Sequence, residues 1–305
     1  MNYTKNIRVD ISKELIELSY LGGVLFIIFI ISTTAHASEV ELIRYVDSVK
    51  HPDPKQSYFV DLLTLTLEAS KAQYGDYKLQ PVNIEMAQAR TSAMLKRNQY
   101  IDLTWRMTSQ TLEQKLQAVY FPILKGLMGY RVFIVRKDHP AISNTNISLE
   151  GLKNLKMGQG NNWPDTDILI ANGFNVTQGN DIVLINMLKK GRFDYFPRAL
   201  HEPWLEITDE ETLTVEESIL LQYPAPMFFF VNKQNKRLYQ RLSFGLEKLF
   251  KSGQFDQFFS NHKITSGILA KANVSKRTIF NLHNPLLSQQ VKKLLTDKRL
   301  WIKLK

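Results

Sequence analysis

Polar and aromatic side chains at the ends of short apolar runs are the residues of this 305-residue sequence best suited to chemistry. The string Gly158-Gln159-Gly160-Asn161-Asn162-Trp163-Pro164-Asp165-Thr166 leads from such a run into a helical pattern. Pro164 fits the first helical position, and the free N–H groups of a helix start can receive a carboxylate or phosphate. Gly158 and Gly160 would let a ligand approach the backbone closely, with Gln159, Asn162, Trp163 and Thr166 around it. The bland alternative is that Asn162 caps the helix and Trp163 packs between elements.

Arg198 follows the run Phe193–Phe196 and precedes a turn, the place for a cation facing a cleft; its alternative is an ion pair with Glu202. Trp105, Arg106 and Thr108 follow another run, where an indole can stack on a ligand and a threonine hydroxyl can donate a hydrogen bond. A tryptophan there serves a core equally well. Tyr45, at the end of an earlier run, carries the same two readings, and Arg90, in a helical stretch, reads as a surface salt bridge.

Catalytic constellations are missing from the sequence. The six histidines (His36, His51, His139, His201, His262 and His283) are scattered, without metal-ligand spacing. There is no nucleophile elbow and no phosphate-binding loop, and Gly158-x-Gly160 lacks the third glycine of a dinucleotide fingerprint. The absence of cysteine removes disulfides, thiolate nucleophiles and cysteine-held metals. Asp209, Glu210, Glu211, Glu216 and Glu217 read as a solvated acidic face. No enzyme activity, metal or cofactor is expected.

The elements that must position these residues alternate in type. Strands are predicted at 40–46, 77–82 and 101–105, with helices at 58–72 and 85–97 between them. This β-α-β-α-β order favours a parallel sheet covered by helices. A strong strand follows at 130–136, then helix 149–152, strand 156–158, helix 165–172, strand 175–177, helix 182–190 and strand 193–196. Pro224-Ala-Pro226 punctuates the chain before strand 227–231 and helices 234–251 and 254–261. A chain that leaves one α/β unit, completes another and returns predicts two lobes. The first takes residues 38–128 and, on the return, 223–305, which includes a basic C-terminal tail; the second takes 129–222. Two crossovers, near Gly126–Tyr130 and Tyr223–Pro226, form the hinge, and the cleft outside the carboxyl ends of the strands is the default site.

Charge bears on partners. The net charge is +10, but nine Lys/Arg against Asp297 sit in residues 271–305, so the remainder is nearly neutral. Without a recognition motif or interleaved aromatics, a basic tail means solubility rather than nucleic acid. The apolar run Leu21–Ile31, preceded by Lys5, Arg8 and Lys13 and followed by Ala35-His36-Ala37, reads as a secretory signal over residues 1–37, cleaved after Ala37. The rival is an uncleaved anchor, which would have to bury Glu17. Either places the remaining chain outside the cytoplasm. N-x-S/T sequons such as those at Asn146, Asn175 and Asn273 are no more than chance supplies.

Several strings resemble the type II periplasmic solute-binding proteins, specifically the family 3, amino-acid-binding-like members. They are Ile101-Asp-Leu-Thr-Trp-Arg-Met-Thr108 with Tyr120-Phe-Pro-Ile-Leu-Lys-Gly126, then Gly191-Arg-Phe-Asp-Tyr195, then Gly158–Thr166, and finally Phe244-Gly-Leu-Glu247 with Gly253-Gln-Phe-Asp256. The resemblance runs from about Val40 to His262, and fuller strings such as H-N-P-L-L look closest to an uncharacterised subset of the group. It implies a two-lobed α/β fold with a two-crossover hinge, and a monomer that captures a small-molecule ligand for an ABC permease or a membrane sensor.

Two departures matter. In the family's register Glu113 stands where the arginine that clamps a ligand carboxylate belongs, and Arg198 stands where an acid for the ligand amine belongs. The expected solute is therefore small, polar, and anionic or amino-acid-like. The alternatives are an enzyme on the same scaffold, resembling cyclohexadienyl dehydratases with Glu113 or Glu202 as acid or base, and a ligand-free protein whose basic tail contacts a membrane or partner.

Overall fold

The computed structural model of the chain describes residues 40–47, 53–84, 88–138 and 147–304. The signal at 1–37 with His36, the start of the helix expected at 85–97, His51, His139 and Asn146 lie outside the described residues. No helix among the described residues is long and apolar enough to cross a membrane.

Alternating burial makes β1 (Glu41–Asp47), whose Ile43 and Tyr45 turn inward. Helix α1 (Gln56–Tyr74) buries Phe59, Leu62, Leu63, Thr66, Leu67 and Ser70, one face at helical spacing. The chain continues through β2 (Tyr77–Asn83), α2 (Gln88–Lys96), β3 (Leu103–Met107), α3 (Gln110–Lys115) and β4 (Gln117–Val119). It crosses at 127–129 into β5 (Tyr130–Arg136), α4 (Leu149–Asn154), β6 (Lys156–Gly160), α5 (Pro164–Ala171) and β7 (Asn175–Gly179). Then come α6 (Leu184–Lys189), β8 (Tyr195–Ala199), α7 (Pro203–Glu206), β9 (Leu213–Val215) and β10 (Ile219–Gln222). The return brings β11 (Met227–Val231), α8 (Lys236–Lys251), α9 (Gln254–Asn261), α10 (Ile268–Lys271), β12 (Thr278–Asn281) and α11 (Gln289–Leu294).

Two lobes result. In the first, β1 and β2 pair in parallel, and β11 lies between β3 and β4, antiparallel to both. The second lobe is built on a sheet of order β12-β10-β5-β8-β6-β7, with β9 beside β5. The β1–β2 pair is parallel as the element order favoured, but the β3-β11-β4 pairs are antiparallel and the second-lobe sheet is mixed. The crossovers cause this. β11 returns from the second lobe running against its neighbours, and β5, which carries the chain over, is antiparallel to β8, β9 and β10.

The two crossovers lie side by side. Tyr130 and Arg131 pair with Gln222 and Leu221, and the Tyr223 amide donates to the Gly129 carbonyl at 3.0 Å. A Cβ on Gly129 would stand 2.0 Å from the Tyr223 carbonyl oxygen, so only glycine permits this approach.

The stretch 271–305 departs from the expected solvated tail. β12 adds in parallel to β10, at the edge of the second-lobe sheet, although this stretch was expected with the first lobe. Leu287 and Val291 then pack with Leu95, Ile101, Leu116, Phe228 and Phe230 of the first lobe. Trp301 covers Gly126 at the first crossover, and the Ile302 amide donates to the Lys125 carbonyl at 2.8 Å. Arg277 is buried and donates to the Ala272, Glu216 and Ile219 carbonyls. The physical reason is apolar: Val274, Leu282, Leu287, Val291 and Leu300 all find cover, which the basic composition hid. Glu216, read as part of a solvated face, is buried too and accepts from the Ser218 and Ile219 amides.

Candidate functional site

A cleft of about 490 Å³ lies between the lobes. Its first-lobe wall is aromatic. Trp105 on β3 stacks on Phe59 of α1 with centroids 5.3 Å apart and planes at 15°, while Tyr45 leans on Trp105 from 6.0 Å. The facing wall belongs to the second lobe, where Trp163 and Phe196 are near-parallel at 6.4 Å. The Arg198 guanidinium sits 5.0 Å from the Trp163 ring and 4.9 Å from the Phe196 ring, so a cation is built into that wall.

Charges of both signs line the floor. Arg198 donates through Nε and Nη2 to Glu206 at 2.6 and 2.5 Å, and stands 3.3 Å from Glu202. Lys55, just before α1, reaches the same Glu206 at 3.0 Å and Asp53 at 3.1 Å. Arg131 on β5 is almost wholly buried and pairs with Asp165 in the first turn of α5, which also accepts from the Tyr223 hydroxyl at the second crossover. Burial works against the charge on Arg131 and Arg198, but the carboxylates outweigh it and both pKa values rise. Burial also opposes ionisation of Glu202, yet Arg198 and Lys55 hold it well below the usual carboxylate range.

His201 is the exception. Burial pushes its pKa down to about 4, against the pull of Glu202, so it is neutral near pH 7. Its Nδ1 and the Nε of Arg131 are buried with no hydrogen-bond partner among the described residues. Both residues line the cleft. Arg106, on the first-lobe side, donates to the Ser92 hydroxyl at 2.7 Å, and burial lowers its pKa to about 10.

Of the residues expected from sequence, Trp105, Arg106, Trp163, Arg198 and Glu202 line the cleft. Tyr45 stands behind Trp105. Thr108 is buried and donates to Glu113 at 2.6 Å, and Glu113 also accepts from Tyr120 at 3.1 Å. Gln159 is buried within the sheet, its Nε2 without a partner among the described residues. Gly158 and Gly160 are small for another reason than ligand approach: a Cβ on either would fall 2.2 Å from the Phe193 or Trp163 ring. Thr166 closes its loop by donating to the Gly160 carbonyl at 2.8 Å. Asn162 is exposed at φ 62°, and the position preceding α5 belongs to Trp163, so Asn162 neither caps the helix nor lines the cleft. Arg90 is exposed on α2.

Sequence reading passed over Lys55, Phe59, Arg131, His201 and Glu206. Arg131 had a usable signal, a cation inside the apolar run Tyr-Arg-Val-Phe-Ile-Val, which is tolerated only when paired. Glu206 had none, because its partners are set by the turn into α7 and by a loop more than a hundred residues away. Among the described residues no group of three His, Asp or Glu is placed to hold a metal.

No family model matches the sequence, and no curated protein does. Solved structures do match. An arginine-specific periplasmic binding protein of Salmonella typhimurium is 14% identical with a TM-score of 0.55, over 72% of this chain and 97% of that one. The periplasmic VFT2 domain of BvgS from Bordetella pertussis is 14% identical with a TM-score of 0.56, over 72% and 92%. A histidine kinase sensor domain with similarity to periplasmic binding proteins is 18% identical with a TM-score of 0.52, over 72% and 94%. At such identities the likeness speaks for architecture, and it agrees with the crossovers and sheets described above: the chain has the two-lobed α/β fold of the type II periplasmic binding proteins.

Proposed function

We propose that the chain is an exported binding protein that captures a small, polar, amino-acid-like solute between its lobes. In this reading the closed form is recognised by an ABC permease or a membrane sensor. The observation that carries it is the cleft: aromatic walls from different lobes, Phe59 with Trp105 and Trp163 with Phe196, above a floor of mixed charge. A ligand touching both walls stabilises only the arrangement in which they meet, which is how a solute drives hinge closure.

The charge pattern narrows the solute. Lys55, Arg131 and Arg198 each meet a carboxylate of the chain itself. A bare anion would find these cations already neutralised, whereas a solute carrying both signs can exchange partners without leaving a buried charge alone. Trp105, Arg106, Trp163, Lys55 and His201 are the proposed contacts. The arginine specificity of the Salmonella protein supports solute capture as a use of this fold, and the periplasmic neighbours agree with the export signal read in residues 1–37. Glu113, engaged by Thr108 and Tyr120, is poorly placed to act as the acid of a dehydratase.

Thermal denaturation against a panel of amino acids, polyamines and organic acids tests this. A true ligand at a hundred times its Kd adds about 2.7 kcal/mol, a rise of several degrees in Tm. Trp105→Ala and Trp163→Ala should each abolish the rise, and the bound compound should be recovered unchanged. If no member of the panel moves Tm, the reading fails; a chemically altered compound would turn it towards catalysis.

A further inference from the structure

One contact crosses the cleft without any ligand. Glu206 ends α7 in the second lobe, and Lys55 precedes α1 in the first. Glu206 Oε1 accepts from Lys55 Nζ at 3.0 Å and from Arg198 Nη2 at 2.5 Å, while Oε2 accepts from Arg198 Nε at 2.6 Å. One carboxylate is thus shared by a cation from each lobe. The Lys55 and Glu206 side chains are only 15% and 18% exposed, so solvent screens the contact far less than it would a surface pair. Burial works against the charge on Lys55, but Glu206 first, then Glu202 and Asp53, outweigh it and raise its pKa above the ordinary lysine value.

We propose that Glu206 is a built-in stand-in for the acidic group of the solute. It latches the lobes together in the empty protein, and an acidic ligand group acts by taking its place between Arg198 and Lys55. The short helix α7 suits this role. It starts at Pro203, which fixes its first turn, and it lifts Glu206 off the sheet toward the other lobe, eight residues past Arg198. The latch itself needs no ligand; only the displacement step rests on the proposed use of the cleft.

The chain has no cysteine, so Lys71→Cys and Lys190→Cys, one exposed site on each lobe, give a clean dye pair for single-molecule energy transfer. Three forms of the full chain are compared without ligand: latch intact, Glu206→Ala, and Lys55→Met. Lys55→Met leaves the Arg198–Glu206 pair inside the second lobe untouched, and cooperative thermal unfolding shows that each form is folded. The closed-to-open ratio should fall about five- to thirtyfold in both substituted forms. Equal ratios in all three would overturn the latch. Acetate, the bare chemistry of the Glu206 side chain, is the probe for the stand-in role. At about 0.1 M it should restore closure in Glu206→Ala where equal ionic strength of chloride does not. No difference between the two salts would overturn the stand-in role. Because neither arm uses the unidentified solute, a failed ligand screen leaves both results standing.

Discussion

His201 shows what burial does to one titratable side chain. It sits among Lys55, Arg131, Arg198 and Glu202, and desolvation holds its pKa near 4 in the folded protein, against about 6.5 when unfolded. Between those values the unfolded chain binds the extra proton, so stability is full above pH 6.5 and is lost as the pH falls toward 4. The loss amounts to about 3 kcal/mol. Urea unfolding of the parent and His201→Gln across this range reads it as a difference, in which the carboxylates common to both proteins cancel. Parallel curves would mean that the imidazole titrates normally. Nothing in the sequence around Leu200-His-Glu202 announces this environment, because it is assembled from β5, β8, α7 and the start of α1. Trp105, Trp163 and Arg198, singled out in the sequence for their place beside short strand-like runs, do line the cleft. Gln159 is buried within the sheet and Thr166 bonds to the Gly160 carbonyl, so neither is among the residues that line the cleft.

At the scale of elements, periodicity located strands and helices well wherever one face is buried. Helix α1, β5 and β11 fall within two or three residues of their expected bounds. β10 and β12 escaped notice. β10 is short, and β12 has an exposed Ile279 and no buried alternation, being held by its pairing with β10 and by the half-buried Phe280. Gly129 is the element-level constraint with the sharpest consequence. In Gly129→Ala the new methyl meets backbone at Tyr223, which cannot swing aside as a side chain could. The substitution should cost at least about 2 kcal/mol in denaturant unfolding. Gly253→Ala is the control: nothing lies within 4 Å of its Cβ, so only the left-handed backbone resists, at about 1 kcal/mol. Equal losses in the two variants would show that the crossovers have room to separate.

For the whole molecule, the two-lobed plan was readable because a chain that alternates element types twice and returns past Pro224 and Pro226 has few ways to bury its sheets. Strand directions were not readable, since they depend on where the returning strand inserts. That insertion governs the order in which order itself appears. The second-lobe strands β5 to β10 are consecutive in sequence and can pair as soon as they exist, whereas β3 and β4 have no common partner until β11 arrives over a hundred residues later. Contacts of such separation close slowly. In pulse-labelled hydrogen exchange during refolding, amides of β5, β6 and β8 should be protected before those of β3 and β4, and simultaneous protection would contradict this. β11 is thus a keystone in time as well as in place: half of the cleft wall, Trp105 included, waits for it.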